Sequence, residues 1–216
     1  MNVLQFVVDA EEREALASRV AGVVVGVVTN NQDPDGMGRV KVKFPWLSDD
    51  DESYWARVTA PMAGKDRGTY FLPEVEDEVL VAFEHGDVRF PYVLGALWNG
   101  KDAPPAKNDD GKNNVRVIKS RSGHLVRLDD TDGAEKIEIV DKSGKNSVTV
   151  DANANTIALK ADGDITLESG QGKIVIKGQS VEMSSTAQDV KIESAANMDV
   201  KASGQMNVKG SAVNIN

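Results

Sequence analysis

The side chains that could carry chemistry are few and stand apart along the chain. His85 and His124 are its two histidines, and there is no cysteine. A histidine works as a general base only when a reacting proton lies within hydrogen-bond reach. His85 sits in Glu84-His-Gly-Asp87 and His124 follows Gly123, with no serine nucleophile motif beside either. Without thiols, a cysteine nucleophile, a disulfide or a thiolate metal site cannot form. Asp33-Pro-Asp-Gly36 and Asp130-Thr-Asp-Gly133 begin like calcium loops but lack the later ligands and the distal glutamate, so both read as turns. Asp49-Asp-Asp-Glu52 reads as a solvated acidic loop. Gly170-Gln-Gly-Lys173 has neither the spacing nor the following Ser or Thr of a phosphate-binding loop. Nothing singles out two of the 34 Asp and Glu residues as a glycosidase couple. The expectation is a non-enzymatic protein with no cofactor and no metal.

The elements that would have to hold such groups show a repeat instead. Apolar residues two apart recur at Val148/Val150, Ile157/Leu159, Ile165/Leu167, Ile174/Ile176, Val181/Met183, Val190/Ile192, Met198/Val200, Met206/Val208 and Val213/Ile215. Successive units start 9, 8, 9, 7, 9, 8, 8 and 7 residues apart. Alternation at period two means a strand with one buried face, and the Gly, Asn, Asp, Ser and Lys residues between units are turn formers. Two inward side chains per unit make one wall, not a closed interior. Single-chain solenoids mostly need 20 or more residues per coil to surround a core. Three copies around one axis supply three walls, and slim Val, Ile, Leu and Met side chains suit a narrow axis where three rings at one level would overfill it. Residues 115–216 therefore read as an intertwined trimeric β-helix, with the paired residues from Val148 to Val208 as trimer core.

Composition sets this segment apart. The aromatic residues all lie between Phe6 and Trp98, and the seven prolines between Pro34 and Pro105. A polar linker with Pro and Gly covers 99–114. Before it, candidate strands fall at Gly22–Thr29, Gly38–Phe44, Tyr54–Ala60, Gly68–Leu72, Glu78–Glu84 and Tyr92–Leu97, with turns at Asn30–Gly36 and Glu84–Asp87. That many short strands in so short a stretch suggest a small closed barrel of the oligonucleotide/oligosaccharide-binding (OB) type over 22–98. Trp46, Trp55, Tyr70, Phe71 and Trp98 read as its core and its contacts with other copies. Residues 1–21 read as an arm with a short helix from Ala10 to about Val20. Val115–Val117, Leu125–Leu128 and Ile137–Ile139 are longer-spaced strands leading into the tight repeat. The fold class is all-β.

Net charge is −9, against a nucleic-acid or anionic-membrane partner. No apolar run approaches the roughly 20 residues that span a bilayer. Asn2–Val8 is too short for a signal-peptide core and has no basic residue before it, so synthesis in the cytoplasm without a signal peptide is expected.

Three stretches carry a family resemblance. They are Gly26-Val-Val-Thr-Asn-Asn-Gln-Asp-Pro-Asp-Gly-Met-Gly-Arg-Val-Lys-Val-Lys-Phe-Pro-Trp, then Tyr54-Trp-Ala-Arg-Val, then Gly68-Thr-Tyr-Phe-Leu-Pro-Glu-Val-Glu-Asp-Glu-Val-Leu-Val-Ala-Phe-Glu-His-Gly-Asp. Together with Pro91-Tyr-Val-Leu-Gly-Ala-Leu-Trp-Asn-Gly, this region resembles the spike barrel of contractile injection systems. That family takes in phage baseplate assembly protein V and the valine-glycine repeat (VgrG-like) proteins of type VI secretion. Ser120–Ile137 resembles the stretch that joins barrel to needle in that family; beyond 145 only the pattern matches. The resemblance implies a homotrimeric spike that pierces the target cell envelope from the end of a tail tube, assembled into a phage tail, a tailocin or a related particle. It also implies a separate baseplate hub protein, because only about 21 residues precede the barrel. The linker has no room for the lysozyme domain of some spikes, and the His-x-His iron site of some spike tips has no counterpart here. Val213 and Ile215 would then meet a separate conical tip protein of the proline-alanine-alanine-arginine repeat (PAAR) type. Two other classes compete: a trimeric glycan- or receptor-binding tail fibre, which would need a lectin-like module, and an oligonucleotide-binding barrel, which the acidic charge disfavours.

Overall fold

The structure is a computed structural model that describes residues 19–47 and 51–214. The chain forms two compact units, Met1–Asp162 and Gly163–Asn216. The arm and helix expected before residue 19 lie outside the described residues.

In the first unit, one sheet is built from β1 (Val23–Asn30), β2 (Lys41–Lys43), β3 (Arg57–Val58), β6 (Glu78–Phe83) and β7 (Pro91–Ala96), in the order β2-β1-β6-β7-β3. A small hairpin, β4 (Ala63–Gly64) with β5 (Arg67–Gly68), stands beside it. β3 runs parallel to β7 and the other pairs are antiparallel. Val40, just before β2, bridges Ala56, just before β3, through reciprocal backbone bonds of 3.0 and 2.7 Å. This contact brings the two sides of the sheet together, so the sheet curls on itself. Strict alternation in β6 sends Val79, Val81 and Phe83 inward. They meet Val28, Val40, Val42, Phe44, Ala56 and Val93 in a core made largely of valine. Gly26 is required where β2 crosses β1 closely: a Cβ there would stand 2.3 Å from Val42 Cγ1. Among the described residues the core holds two rings, Phe44 and Phe83, packed edge to face at 5.4 Å between centroids.

The first unit also contains β8 (Val115–Lys119), β9 (Leu125–Asp129), β10 (Lys136–Val140), β11 (Ser147–Asp151) and β12 (Thr156–Lys160), an antiparallel meander in chain order. Each neighbouring pair is in register over five residues without a bulge. Within one chain, residues 115–160 of the expected needle make these ladders with one another. The first two tight repeat units, Val148/Val150 and Ile157/Leu159, thus pair with each other in this sheet, Val148 opposite Leu159 and Val150 opposite Ile157.

The second unit is extended chain. Bends fall at 162–163, 170–172, 179, 186–188, 195–196, 203–204 and 211, in the spacers between apolar units. Among the described residues of this unit no strand ladder forms, and every one is exposed. Its local turns use side chains, such as Gln188 N–H donating to Ser185 Oγ at 3.2 Å and Ser194 Oγ donating to the Asn197 carbonyl at 3.1 Å.

Candidate functional site

The residues first considered for chemistry are occupied by structure. Asp33 caps its own turn, accepting the backbone N–H groups of Asp35, Met37 and Arg39. Arg39 grips it from the side at 2.9 Å (Nε) and 2.6 Å and reaches Asp35 at 2.5 Å. The guanidinium and the backbone donors hold the Asp33 carboxyl well below the usual carboxylate range. Asp130 is bound by Arg116 at 2.6 Å, and Glu52 by Lys41 at 2.9 Å; Asp49 and Asp50 lie outside the described residues. His85 occupies the left-handed region at φ 50 in a one-turn 3-10 segment, Glu84–Gly86. His124 Nδ1 accepts the Lys142 N–H at 3.2 Å, tying the β8–β9 turn to the β10–β11 turn. The two histidines are never brought together, and among the described residues no cluster of three His, Asp or Glu side chains could hold a metal.

Of the aromatic residues expected as core and as contacts with other copies, none is in the buried core of one chain. Trp46, Tyr70, Phe71 and Trp98 are exposed, Tyr70 by 75% and Trp98 by 70%. Trp55 is half-buried beneath Arg39 and Lys41, each 5.7 Å from its ring centroid. The interior of so small a barrel is filled mainly by valines at alternate strand positions with the rings of Phe44 and Phe83, and the tryptophans and tyrosines stay outside that core.

What the structure does assemble is an apolar surface. Register places one residue from each strand in every cross-strand row of the meander. Leu128, Ile137, Val150 and Ile157 form one row with Arg116 at its end; Ile118, Val126, Ile139, Val148 and Leu159 form the next. Nine of these ten side chains are aliphatic. Eight of the nine are exposed, from 36% at Val126 and Val148 to 75% at Ile157, while Val150 is half-buried. The opposite face is polar and better covered. Arg127 bonds Asp129 at 2.5 Å and approaches Glu138 at 3.8 Å, and Lys136 approaches Glu138 at 3.5 Å. Asp129, which also accepts the Thr131 N–H and hydroxyl, is the buried polar residue of the described chain, and these bonds lower its pKa. Linker residues Pro105–Lys107 line a cleft on this face with Val117, Leu125 and Val140.

The residues expected to form a shared core fall into two groups within one chain. Val148, Val150, Ile157 and Leu159 share one face. The next twelve, Ile165, Leu167, Ile174, Ile176, Val181, Met183, Val190, Ile192, Met198, Val200, Met206 and Val208, are all exposed within one chain and no ladder joins them. Val213 is exposed too, and Ile215 lies outside the described residues. Ile118, Val126, Leu128, Ile137 and Ile139 belong to the same surface and were not singled out by the repeat. Their signal was alternation in three more widely spaced strands, ambiguous in Leu125-Val-Arg-Leu128, where apolar residues occur at both parities.

Residues 24–98, the curled sheet with its valine core, match the family described as type VI secretion system/phage-baseplate injector OB domain. Among curated proteins, the chain is 31% identical over 143 residues to the type VI secretion system spike protein VgrG1a of Pseudomonas aeruginosa, a match covering 61% of this chain and 22% of that protein. It is 27% identical over 155 residues to VgrG3 of Vibrio cholerae, 68% of this chain and 15% of the relative. VgrG5 of P. aeruginosa is 35% identical over 132 residues, with 55% and 17% covered. The barrel region of this chain thus carries an injector OB domain, and the chain is similar to VgrG-type spike proteins. Its match spans about a fifth or less of the length of these relatives. In this VgrG-like chain the family profile covers the barrel, and the apolar meander face and the extended repeat follow it. No helix among the described residues is long and apolar enough to cross a membrane.

Proposed function

We propose that this VgrG-like chain is a structural, non-enzymatic homotrimeric central spike of a contractile injection machine. One observation carries the reading: an injector-type OB barrel is followed by some fifty residues whose regularly spaced apolar side chains are all exposed and whose extended backbone finds no strand partner among the described residues. Backbone N–H and C=O groups that form no ladder must be satisfied elsewhere, and exposed aliphatic faces of this extent mark contact surfaces. Three copies around an axis satisfy both demands, pairing backbones between chains and turning the apolar residues inward. A shaft of that kind has no free strand edge along its length and resists axial load, because many interchain contacts must break together. Its role is to pierce the target cell envelope. The family resemblance supplies the remaining partners: a baseplate hub protein on the barrel side, and a PAAR-type conical tip protein meeting Val213 and Ile215.

The test is the mass and outline of the purified chain. Light scattering should give three times the 23.2 kDa chain mass, and negative-stain images should show a thin shaft on a small head. A well-folded monomer would refute the proposal.

A further inference from the structure

The assembly surface is made in two different ways. Over 115–160 a single chain completes its own ladders, and only the apolar face is left without a partner. Over 163–214 the backbone pairing is missing as well. We infer that the meander is the trimerisation nucleus of this chain: its apolar face docks on the same face of two further copies first, which fixes register, and the segment 163–214 acquires its hydrogen bonds only afterwards. The inference rests on the homotrimeric reading above.

The meander has what a nucleus needs. Its four connections are short turns, so its ladders close at little entropic cost. The turns are tied locally: Asp141 accepts Ser143 Oγ at 2.8 Å and the Asn146 N–H at 3.2 Å, His124 N–H donates to Ser120 Oγ at 3.0 Å, and Asp151 accepts the Ala154 N–H at 2.7 Å. One chain can therefore raise this wall before it meets another.

The occupant of the face is another copy of the chain. The face offers aliphatic side chains only, two per strand on β9 to β12, the same number that each repeat unit of 163–214 carries at alternate positions. Within its two ladder rows the one hydrogen-bonding side chain is Arg116 at a corner, already engaged by Asp130. The charges, and the linker residues beside them, are on the opposite face. Arg116, held by Asp130 at 2.6 Å and by the Asn113 carbonyl at 3.0 Å, also sets the register. A copy docked one strand out of step would press an aliphatic row against this guanidinium, and burying a charge against apolar groups is costly.

The 163–214 segment has the opposite character. It gains backbone bonds only from chains already alongside it. Docked meanders provide that proximity, raising the effective concentration of the three segments for one another.

Refolding the full chain by dilution from denaturant, with pulsed hydrogen exchange and light scattering, tests the order. Protection of 115–160 should grow in step with trimer mass at a rate that rises with protein concentration. Protection of 163–214 should follow in a later phase independent of concentration. Substitutions on an early-forming surface slow assembly, and those on a late-forming one do not. Ile139→Ser should therefore slow trimer formation by about ten-fold or more, and Val190→Ser by less than about two-fold while delaying the late phase. If the Ile139→Ser chain gives no trimer at all, Ile139→Val supplies a milder slowing to compare with Val190→Ala. Protection of 163–214 that precedes trimer mass, or equal slowing by the two substitutions, overturns the inference and leaves the homotrimer standing. A wild-type chain that refolds fully as a monomer overturns both.

Discussion

Truncating Ile139 to alanine separates an apolar face buried in an assembly from one that stays wet. Ile139 lies on the central strand of the meander, between Val126 and Val148 in its row, and is 52% exposed in a single chain. Full burial of an isoleucine is worth roughly 1.5–3 kcal/mol. About half of that, ~0.8–1.5 kcal/mol per chain, is left for a neighbouring copy to supply. Ile139→Ala loses this term and adds a cavity at the contact, and buried Ile→Ala changes cost about 2–5 kcal/mol. Three equivalent sites per trimer should multiply the loss to roughly 6–15 kcal/mol in the free energy of forming the trimer from three unfolded chains. Thr149→Ala, on the opposite face of the adjoining strand, is the control and should cost no more than about 1 kcal/mol. Urea unfolding at several protein concentrations, with sedimentation equilibrium for mass, reads the difference. The Ile139→Ala midpoint should fall at every protein concentration, and the trimer should dissociate at a higher concentration than the wild-type chain's. If both variants shift by the same small amount, about 0.5 kcal/mol or less as at ordinary surface sites, the face is solvent-exposed in the working protein and the reasoning fails.

Three further predictions concern the barrel and its turns. Gly26→Ala should destabilise the barrel by roughly 1–3 kcal/mol through overpacking against Val42; Gly95→Ala, where a Cβ meets nothing within 4 Å, should not, and thermal melts of the two variants check this. Asp87 and Asp141 have pKa values lowered to about 2, Asp87 by the Arg89 guanidinium and Asp141 by the Ser143 hydroxyl and Asn146, and Asp33 is lowered further by Arg39. A carboxyl with a depressed folded pKa contributes stability above its unfolded value near 3.9, which is lost as pH falls through the folded value. Melting temperature should therefore hold from neutral pH to about 4 and drop between about 4 and 2, less steeply in an Asp33→Asn variant. Calcium at millimolar concentration should leave the melting temperature unchanged, since Arg39 and Arg116 already occupy the carboxylates of Asp33, Asp35 and Asp130; a calcium-dependent rise would show that one of these turns is an ion site.

Much of the architecture was legible in sequence because it depends on local pattern. Alternation marked β1, β6 and β7 within one residue of their ends, and turn chemistry marked Asp33–Gly36, where Asp33 binds its own backbone. The shortest strands were not marked well: β3 and β5 hold two residues each, where longer runs were expected. Their positions come from a parallel pairing with β7 and a tight hairpin around Lys65 and Asp66, which depend on partners distant in sequence or on a left-handed Asp66, φ 54.

The amino-acid sequence alone determined that the described residues would be built from β-strands, that the aromatic-bearing barrel ends before a polar linker, and that the C-terminal half repeats a unit of two alternate apolar residues. These follow from period-two spacing and composition, which need no knowledge of contacts. The tertiary structure alone decided where in-chain pairing stops and which residues form the uncovered face. Side chains alternate strictly along a strand, so a shift of one residue in pairing sends every apolar group to the other side. Local spacing would have turned Val115 and Val117 toward the apolar face; the ladder with β9 puts Arg116 and Ile118 there instead.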